Sequence, residues 1–172
     1  MPTDRITIVN EADSVIGSED RSIARAQGLR HRIVRVFLVN SEGKVLLHRR
    51  SEKLKDNPGK WDQSVGGHVD EGEDYITAAR RETQEELGIA VEKFEEIGKF
   101  YIEREAPGGF VRRFQAVFIA RGDGPVKLDE SEIAEIRWFD IAEAAEFYSQ
   151  KPDAFTKNFA RAFELLQKAL AT

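Results

Sequence analysis

The first thirty residues combine strand-like alternation with one short helical stretch. Residues 6–9 and 15–17 are apolar or alternate with polar residues, and a polar turn separates them, which predicts a β-hairpin. Residues 21–26 predict a short helix that ends near Gly28, because glycine commonly follows the last helical residue. Residues 1–30 are therefore predicted to form an N-terminal hairpin and a short helix.

Five later apolar stretches also have the spacing of β-strands. They are residues 32–39, 44–48, 97–102, 111–120 and 133–139. We expect the first two to form one antiparallel pair and the next two to form another, because short turns rich in Gly, Asn or Pro separate them.

Three stretches have apolar residues at helical spacing. They are residues 74–87, which end at Gly88, residues 141–149 and residues 153–171. Strands outnumber helices and do not alternate with them, which favours an α+β fold with a sheet packed between helices. The sequence has no internal repeat and no linker rich in Pro, Gly or Ser, so we expect a single domain over residues 1–172.

Composition narrows the classes of function. Of the 172 residues, 41% are hydrophobic and 33% are charged, which is typical of a globular protein, and no apolar run is long enough to cross a bilayer. The net charge of −5, without a dense basic block, argues against nucleic-acid binding. The sequence has no cysteine, which excludes thiolate metal ligands and a cysteine nucleophile. With no apolar leader segment at the N-terminus, we expect a cytoplasmic location.

Candidate chemistry is concentrated in residues 67–89. On a helix, Glu82, Glu85 and Glu86 occupy positions i, i+3 and i+4 and border the apolar stripe. Three carboxylates beside a buried surface repel one another and lose hydration, and a divalent cation with a preference for oxygen ligands relieves both effects. Three glutamates at this spacing are more often a solvated acidic helix face than a metal site. The residues around them therefore have to distinguish the two explanations.

The longer pattern resembles the signature of the Nudix hydrolases. The matching residues are Gly67, Glu73, Arg81, Glu82, Glu85, Glu86, Gly88 and Ile89, and the one departure is Thr83, where the family usually has an aliphatic residue. The resemblance implies an α/β/α sandwich with a mixed central sheet and hydrolysis of a diphosphate linkage with Mg²⁺ or Mn²⁺. It also implies that the three box glutamates and the Gly67 carbonyl bind the metal, and that Glu73 pairs with Arg81 in a structural role.

The flanks of this Nudix box (residues 67–89) resemble isopentenyl-diphosphate isomerase, over residues 8–11, 28–32, 46–51 and 58–68. That enzyme needs a cysteine where this chain has Gly66, and an acidic pair on a later strand, around Val111 to Phe118, where this chain offers Val111-Arg112-Arg113-Phe114. His31 and His68 match two of its metal-binding histidines, but the third aligns near Ala24. We therefore predict a hydrolase of the isomerase-like branch. The alternatives are an isomerase and a non-catalytic nucleotide-binding Nudix domain, and the complete set of box glutamates argues against both.

Outside the box, residue chemistry leaves several roles open. Arg49 and Arg50 are candidate phosphate ligands, with Arg50 slightly favoured, because a guanidinium fork fits phosphate oxygens. Aromatic residues that can contact the organic group are Phe37, Trp61, Tyr101 and Phe114. Glu82 and Glu85 are candidate catalytic residues, and the base candidates outside the box are Glu103, Glu105, Glu130 and Glu132, of which Glu130 and Glu132 are not distinguished.

For the two histidines, a packing role is favoured over metal binding. We expect the substrate to be a small-molecule diphosphate of the nucleoside-diphosphate type. A homodimer is suggested only by the habit of the family.

Overall fold

The computed structural model describes residues 4–172, so the first three residues of the predicted domain lie outside it. In this part of the chain the strands are β1 (Arg5–Val9), β2 (Val15–Asp20), β3 (Arg30–Val39), β4 (Val45–Arg50), β5 (Trp61–Asp62), β6 (Val65–His68), β7 (Phe94–Ala106), β8 (Gly109–Arg121) and β9 (Ile133–Phe139). The helices are α1 (Arg21–Ala26), α2 (Tyr75–Leu87), α3 (Ile141–Gln150) and α4 (Phe159–Leu170), and Pro152–Ala154 form a short 3₁₀ turn.

Strand β3 lies at the centre of one mixed sheet. It runs parallel to β8 over ten paired positions, from Arg30↔Arg112 to Val39↔Arg121. Along its other side it pairs antiparallel with β1, β6 and β4. The hairpin β7–β8 extends the sheet on one side, while β4 carries β5 and β9 on the other. The predicted mixed sheet of an α+β fold is confirmed.

Both faces of the sheet are covered by helices. Val34, Val36 and Leu38 of β3 point to one face, where they pack with α2, whereas Phe37 and Val39 point to the other, where they pack with α3 and α4. A strand that is buried on both faces has a continuous apolar sequence, as residues 36–39 do. The predicted α/β/α sandwich is therefore confirmed.

Helix α2 is bounded by strong capping signals. The Asp74 side chain accepts a hydrogen bond of 2.9 Å from the Thr77 amide, and Gly88 takes the left-handed conformation with φ 62° after the last turn. Thr83, the one departure from the family pattern, is buried and donates its hydroxyl to the Ala79 carbonyl at 2.7 Å. Its polar atom is thus satisfied, and the substitution is compatible with the core.

The structure contains two strands that the sequence did not predict, β5 and β6, and it differs from the prediction in two further places. Strands β3 and β4 were expected to pair along their length, but they meet only at Val39↔Val45, and β4 pairs mainly with β9. The last helix was expected from residue 153 and begins at Phe159 instead. The Thr156 amide donates to the Trp61 carbonyl at 3.0 Å, and this bridge to β5 holds residues 155–158 out of the helix.

Among the helices of residues 4–172, none has the length and apolar character needed to cross a bilayer.

The aromatic cluster between the sheet and α4 gives a direct test of the packing. Phe159 has 0% exposure and contacts the rings of Phe37, Phe155 and Phe163. We expect Phe159→Ala to lower the free energy of unfolding by about 3–5 kcal/mol, because it removes a buried ring and leaves a cavity. Ile16→Ala, at a position with 65% exposure, is the matched control and should change it by less than about 0.5 kcal/mol. Urea denaturation of both variants measures the difference, and equal losses would contradict this packing.

Candidate active site

The candidate site forms where β6 passes beside α2. Gly66 pairs with Arg35 and Gly67 with Val34, so alternation turns Gly67 toward the α2 side of the sheet. A Cβ atom at Gly67 would overlap the Glu82 carboxyl group. The Gly66 amide donates a hydrogen bond to the Glu86 carboxylate. Glycine at position 67 therefore lets the helix bring the Glu82 carboxylate against the strand backbone.

Arg81 connects the loop before α2 to the carboxylates on it. Its guanidinium donates to Glu73 at 2.7 and 3.0 Å and to the His68 carbonyl at 3.0 Å. The same group lies 2.8 Å from Glu82 and 3.3 Å from Glu85. The Glu73 carboxylate also accepts from the Asp70 amide at 3.0 Å. The Glu73–Arg81 contact has the geometry that the family resemblance implies.

Two of the box carboxylates, Glu82 and Glu86, lie where the charged form of the group is unfavourable. Burial raises the pKa of Glu82 to about 7, even though Arg81 opposes the shift. Burial also raises the pKa of Glu86 well above its usual range, and the charges of Glu82 and Glu132 add to the effect. Glu85 is different, since 52% of its side chain is exposed against 13% for Glu82.

The donor chemistry of this site fits a hard divalent cation. Glu82 and Glu86 are partly buried oxygen donors beside the Gly67 backbone, and a nearby positive charge would offset the desolvation of both. Within residues 4–172, no three Asp, Glu, His or Cys side chains already converge on one point as a complete metal cage. Arg81 is the cation that holds Glu82 and Glu85 in the present arrangement.

Of the two predicted phosphate-binding arginines, Arg50 lies on the box side. Its charge acts on Glu86, while its guanidinium donates to the Asp56 carbonyl at 2.9 and 3.1 Å. Arg49 forms ion pairs with Glu135 at 3.0 Å and Glu52 at 3.3 Å. These contacts favour Arg50 over Arg49 as the residue available to a phosphate near the box.

The acidic residues before β9 differ in whether their charge acts on the Nudix box. Glu132 is the one whose charge acts on Glu86, and its carbonyl accepts a hydrogen bond from the Ser51 amide at 2.9 Å. Glu130 and Glu132 are both exposed, and Glu130 lies two residues further from β9. Glu103 is farther along β7 and approaches Arg30 at 3.8 Å and Arg112 at 3.6 Å. Sequence reasoning did not distinguish Glu130 from Glu132, because the order of residues in a loop does not show which side chain turns toward the helix.

The aromatic candidates are not gathered at the box. Tyr101 packs against Phe114, with ring centroids 4.7 Å apart, and its hydroxyl bonds to Arg30 and Glu103. Phe37 and Trp61 belong to the buried cluster under α3 and α4.

His31 and His68 form a stacked pair with ring centroids 5.4 Å apart. The His31 Nδ1 atom lies 3.0 Å from the Leu29 carbonyl oxygen. Burial lowers the pKa of His31 to about 4 and that of His68 well below its usual range, and nearby arginines contribute to both shifts. Two stacked neutral imidazoles agree with the packing role that the sequence favoured.

Comparison with known proteins defines the class that this fold and site represent. A family model described as NUDIX domain matches residues 29–161, which is most of the chain. The chain therefore belongs to the Nudix family and is a Nudix hydrolase.

Individual relatives agree with this assignment. The chain is 39% identical over 160 residues to an uncharacterised Nudix hydrolase of Yersinia pestis, covering 93% of this chain and 84% of the relative. It is 29% identical over 152 residues to an isopentenyl-diphosphate Δ-isomerase of Serratia proteamaculans, covering 88% and 84%. Among solved structures, DR0079 of Deinococcus radiodurans matches with a TM-score of 0.75 and 28% identity over 93% of this chain and 97% of that one. The predicted likeness to both the hydrolases and the isomerase is confirmed.

The stressed carboxylates predict an unusual dependence of stability on pH. The folded pKa of Glu82 exceeds its ordinary value of 4.5, so the folded protein binds this proton more tightly than the unfolded chain does. The resulting contribution to stability is present below pH 4.5 and is lost as the pH rises through about 7. Glu86 acts in the same direction.

We therefore expect Glu86→Gln to raise the melting temperature in chelator more at pH 8 than at pH 5, because the raised pKa of the native carboxyl means that its charged form is unfavourable in the folded protein. A melting temperature below that of the wild type at pH 8 would contradict the proposed stress. Glu92→Gln, at an exposed position beyond α2, is the control and should have no effect at either pH. Differential scanning calorimetry makes the comparison.

Proposed function

We propose that this protein is a Mg²⁺- or Mn²⁺-dependent hydrolase that cleaves the diphosphate linkage of a nucleoside-diphosphate-type small molecule by attack of water on phosphorus. The observation that carries the proposal is the position of Glu82 and Glu86, both with a raised pKa, against the backbone of Gly66 and Gly67. A protein without a use for this arrangement would gain stability by replacing either carboxylate.

The residues that would hold the cation are Gly67, through its carbonyl, with Glu82, Glu85 and Glu86. When bound, such a cation polarises a phosphoryl oxygen and lowers the pKa of the attacking water. The substrate phosphates add oxygen ligands of the kind that Mg²⁺ prefers.

The remaining steps belong to side chains of this chain. Arg50 is oriented by its bonds to Asp56 and presents its charge to the box, where it would bind a phosphate oxygen. Glu82 is also a candidate acceptor of the proton that the attacking water releases. Glu130 and Glu132 stay alternative bases, and the charge of Glu132 on Glu86 favours Glu132. Arg81 fixes the loop and the helix relative to each other through Glu73.

Replacing each box glutamate by glutamine tests the proposed site. We expect Glu82→Gln, Glu85→Gln and Glu86→Gln each to lower metal-dependent turnover at least about a hundredfold, because each removes a charged ligand or a proton acceptor. Glu92→Gln should retain the wild-type rate. The assay is release of phosphate or pyrophosphate from nucleoside di- and triphosphates, nucleotide sugars, dinucleotides and prenyl diphosphates, with Mg²⁺ and with Mn²⁺. Near-normal rates in all three box variants would refute the assignment.

The relationship to an isomerase requires its own experiment. Gly66 cannot transfer a proton, and the segment around Val111 to Phe118, where the resemblance places the isomerase's acidic pair, has no acidic residue, so we expect no isomerisation of isopentenyl diphosphate. Product analysis by mass spectrometry and NMR with the wild-type protein and Mg²⁺ or Mn²⁺ provides the measurement. Metal-dependent isomerisation at an ordinary enzymatic turnover, on the order of 1–10³ per second, would overturn the hydrolase proposal.

A further inference from the structure

A second cluster of charged side chains lies on the sheet face opposite α2. In the β3–β8 pairing, His31 is opposite Arg113 and Ile33 is opposite Gln115, and β7 places Ile102 beside Arg113. Alternation puts these residues on the same face as Phe37. We call this cluster the arginine pocket, and its members are Arg25, Arg35, Arg104, Arg113 and Gln115.

The arginine pocket contains hydrogen-bond donors that the described protein atoms do not use. Across residues 4–172, four buried donor atoms of this cluster have no acceptor: the Nε atoms of Arg25, Arg104 and Arg113 and the Nε2 atom of Gln115. Buried polar atoms in native proteins are nearly always hydrogen-bonded, and four exceptions in one place point to a missing acceptor. An acceptor with several oxygens, placed beside Arg113, would supply partners for donors of more than one of these residues.

The charge balance of the arginine pocket is positive. Arg35 pairs with Asp62 at 3.0 Å, and Arg25 pairs with Asp56 at 2.9 Å. Arg113 is half-buried, and burial lowers its pKa to about 9, with the charges of Arg35 and Arg104 adding to the shift. Four arginines thus share two neighbouring carboxylates.

This arrangement is unfavourable for folding on its own. Arginine charges gathered out of water repel one another and lose hydration, and an apolar side chain at Arg113 would avoid both penalties. The guanidinium fork is suited to the oxygens of a phosphate, which would supply negative charge and acceptors together.

We propose that the arginine pocket binds a phosphate group, and that this phosphate is an additional one, remote from the scissile diphosphate, carried by the same substrate. Gly66 pairs with Arg35 on the pocket side, while its neighbour Gly67 faces α2, so the pocket and the Nudix box share strand β6. Arg50 lies near Glu86, and Asp56, whose carbonyl it binds, pairs with Arg25. The assignment of the phosphate to the substrate rests on the proposed function; the binding of phosphate does not.

The first experiment measures binding of inorganic phosphate to the full-length protein. Two precautions remove metal-dependent binding of phosphate at the Nudix box. The buffer contains a chelator, and each protein that is tested also carries Glu86→Gln. We expect titration calorimetry to detect phosphate binding, and phosphate to raise the melting temperature. Arg113→Met should weaken phosphate binding at least about tenfold, because it removes a positively charged guanidinium and its hydrogen-bond donors. Arg121→Met, on the exposed end of the same strand, is the matched control and should bind normally.

The melting temperature without phosphate shows whether the variant folds. Since Arg113→Met removes a charge that its neighbours repel, we expect it to melt at or above the wild-type temperature in phosphate-free buffer. Arg104→Met provides a second variant with the same expected loss of binding. The proposal would be overturned if the protein with all the residues of the arginine pocket did not bind phosphate at millimolar concentration. It would also be overturned if Arg113→Met, Arg104→Met and the Arg121→Met control bound phosphate equally.

The second experiment identifies the source of the phosphate. NADPH differs from NADH, and coenzyme A from dephospho-coenzyme A, by one phosphate remote from the diphosphate. If the substrate carries the group, kcat/KM will be higher for the phosphorylated member of a pair, and Arg113→Met will abolish that preference. Phosphate binding without a preference in either pair would refute the substrate assignment and leave a site for a free phosphate ion. Phosphate binding without hydrolysis of any compound would instead count against the proposed function alone.

Discussion

The parallel pairing of β3 with β8 is the interaction on which the rest of the structure depends. Its ten paired positions place β3 in the interior, with helices on both faces. Because neighbouring strands in register share their faces, each side chain of β3 has a counterpart on β8 that points the same way. The pairing therefore contributes to the apolar cores on both faces of the sheet. Near His31 and Arg113 it also contributes to the arginine pocket.

Charge is concentrated on both faces of this sheet, with opposite sign. On the α2 side, Glu82 and Glu86 are brought against β6, where the absence of a side chain at Gly67 permits the approach. On the other side, Arg35 and Arg113 lie among too few carboxylates. Each cluster is costly without a ligand, and together they are complementary to one that brings a metal ion and several phosphate oxygens.

Substitution at a few positions separates this chain from the isomerase that it resembles. Gly66 has no side chain that could carry a proton, and its backbone amide donates to Glu86. On the later strand, the resemblance places the isomerase's acidic pair around Val111 to Phe118, where this chain has Arg112 and Arg113. His31 and His68 persist as a stacked, buried pair whose low pKa keeps the imidazoles neutral beside the arginines. A shared fold thus supports different chemistry through the charge of individual side chains.

The sequence by itself determined the strand and helix segments of the N-terminal hairpin, α1, α2 and β9, because each has local signals such as Asp74 and Gly88 at the ends of α2. It also placed the box glutamates on one helix face, since helical spacing alone decides that. Only the tertiary structure decided that β4 pairs mainly with β9 and not with β3. It also decided that α4 begins after the bridge between Phe155 and Trp61. It alone gathered the arginine pocket, because residues 25 and 35 are distant in sequence from residues 104 and 113, and the two groups meet only where β3 pairs with β8.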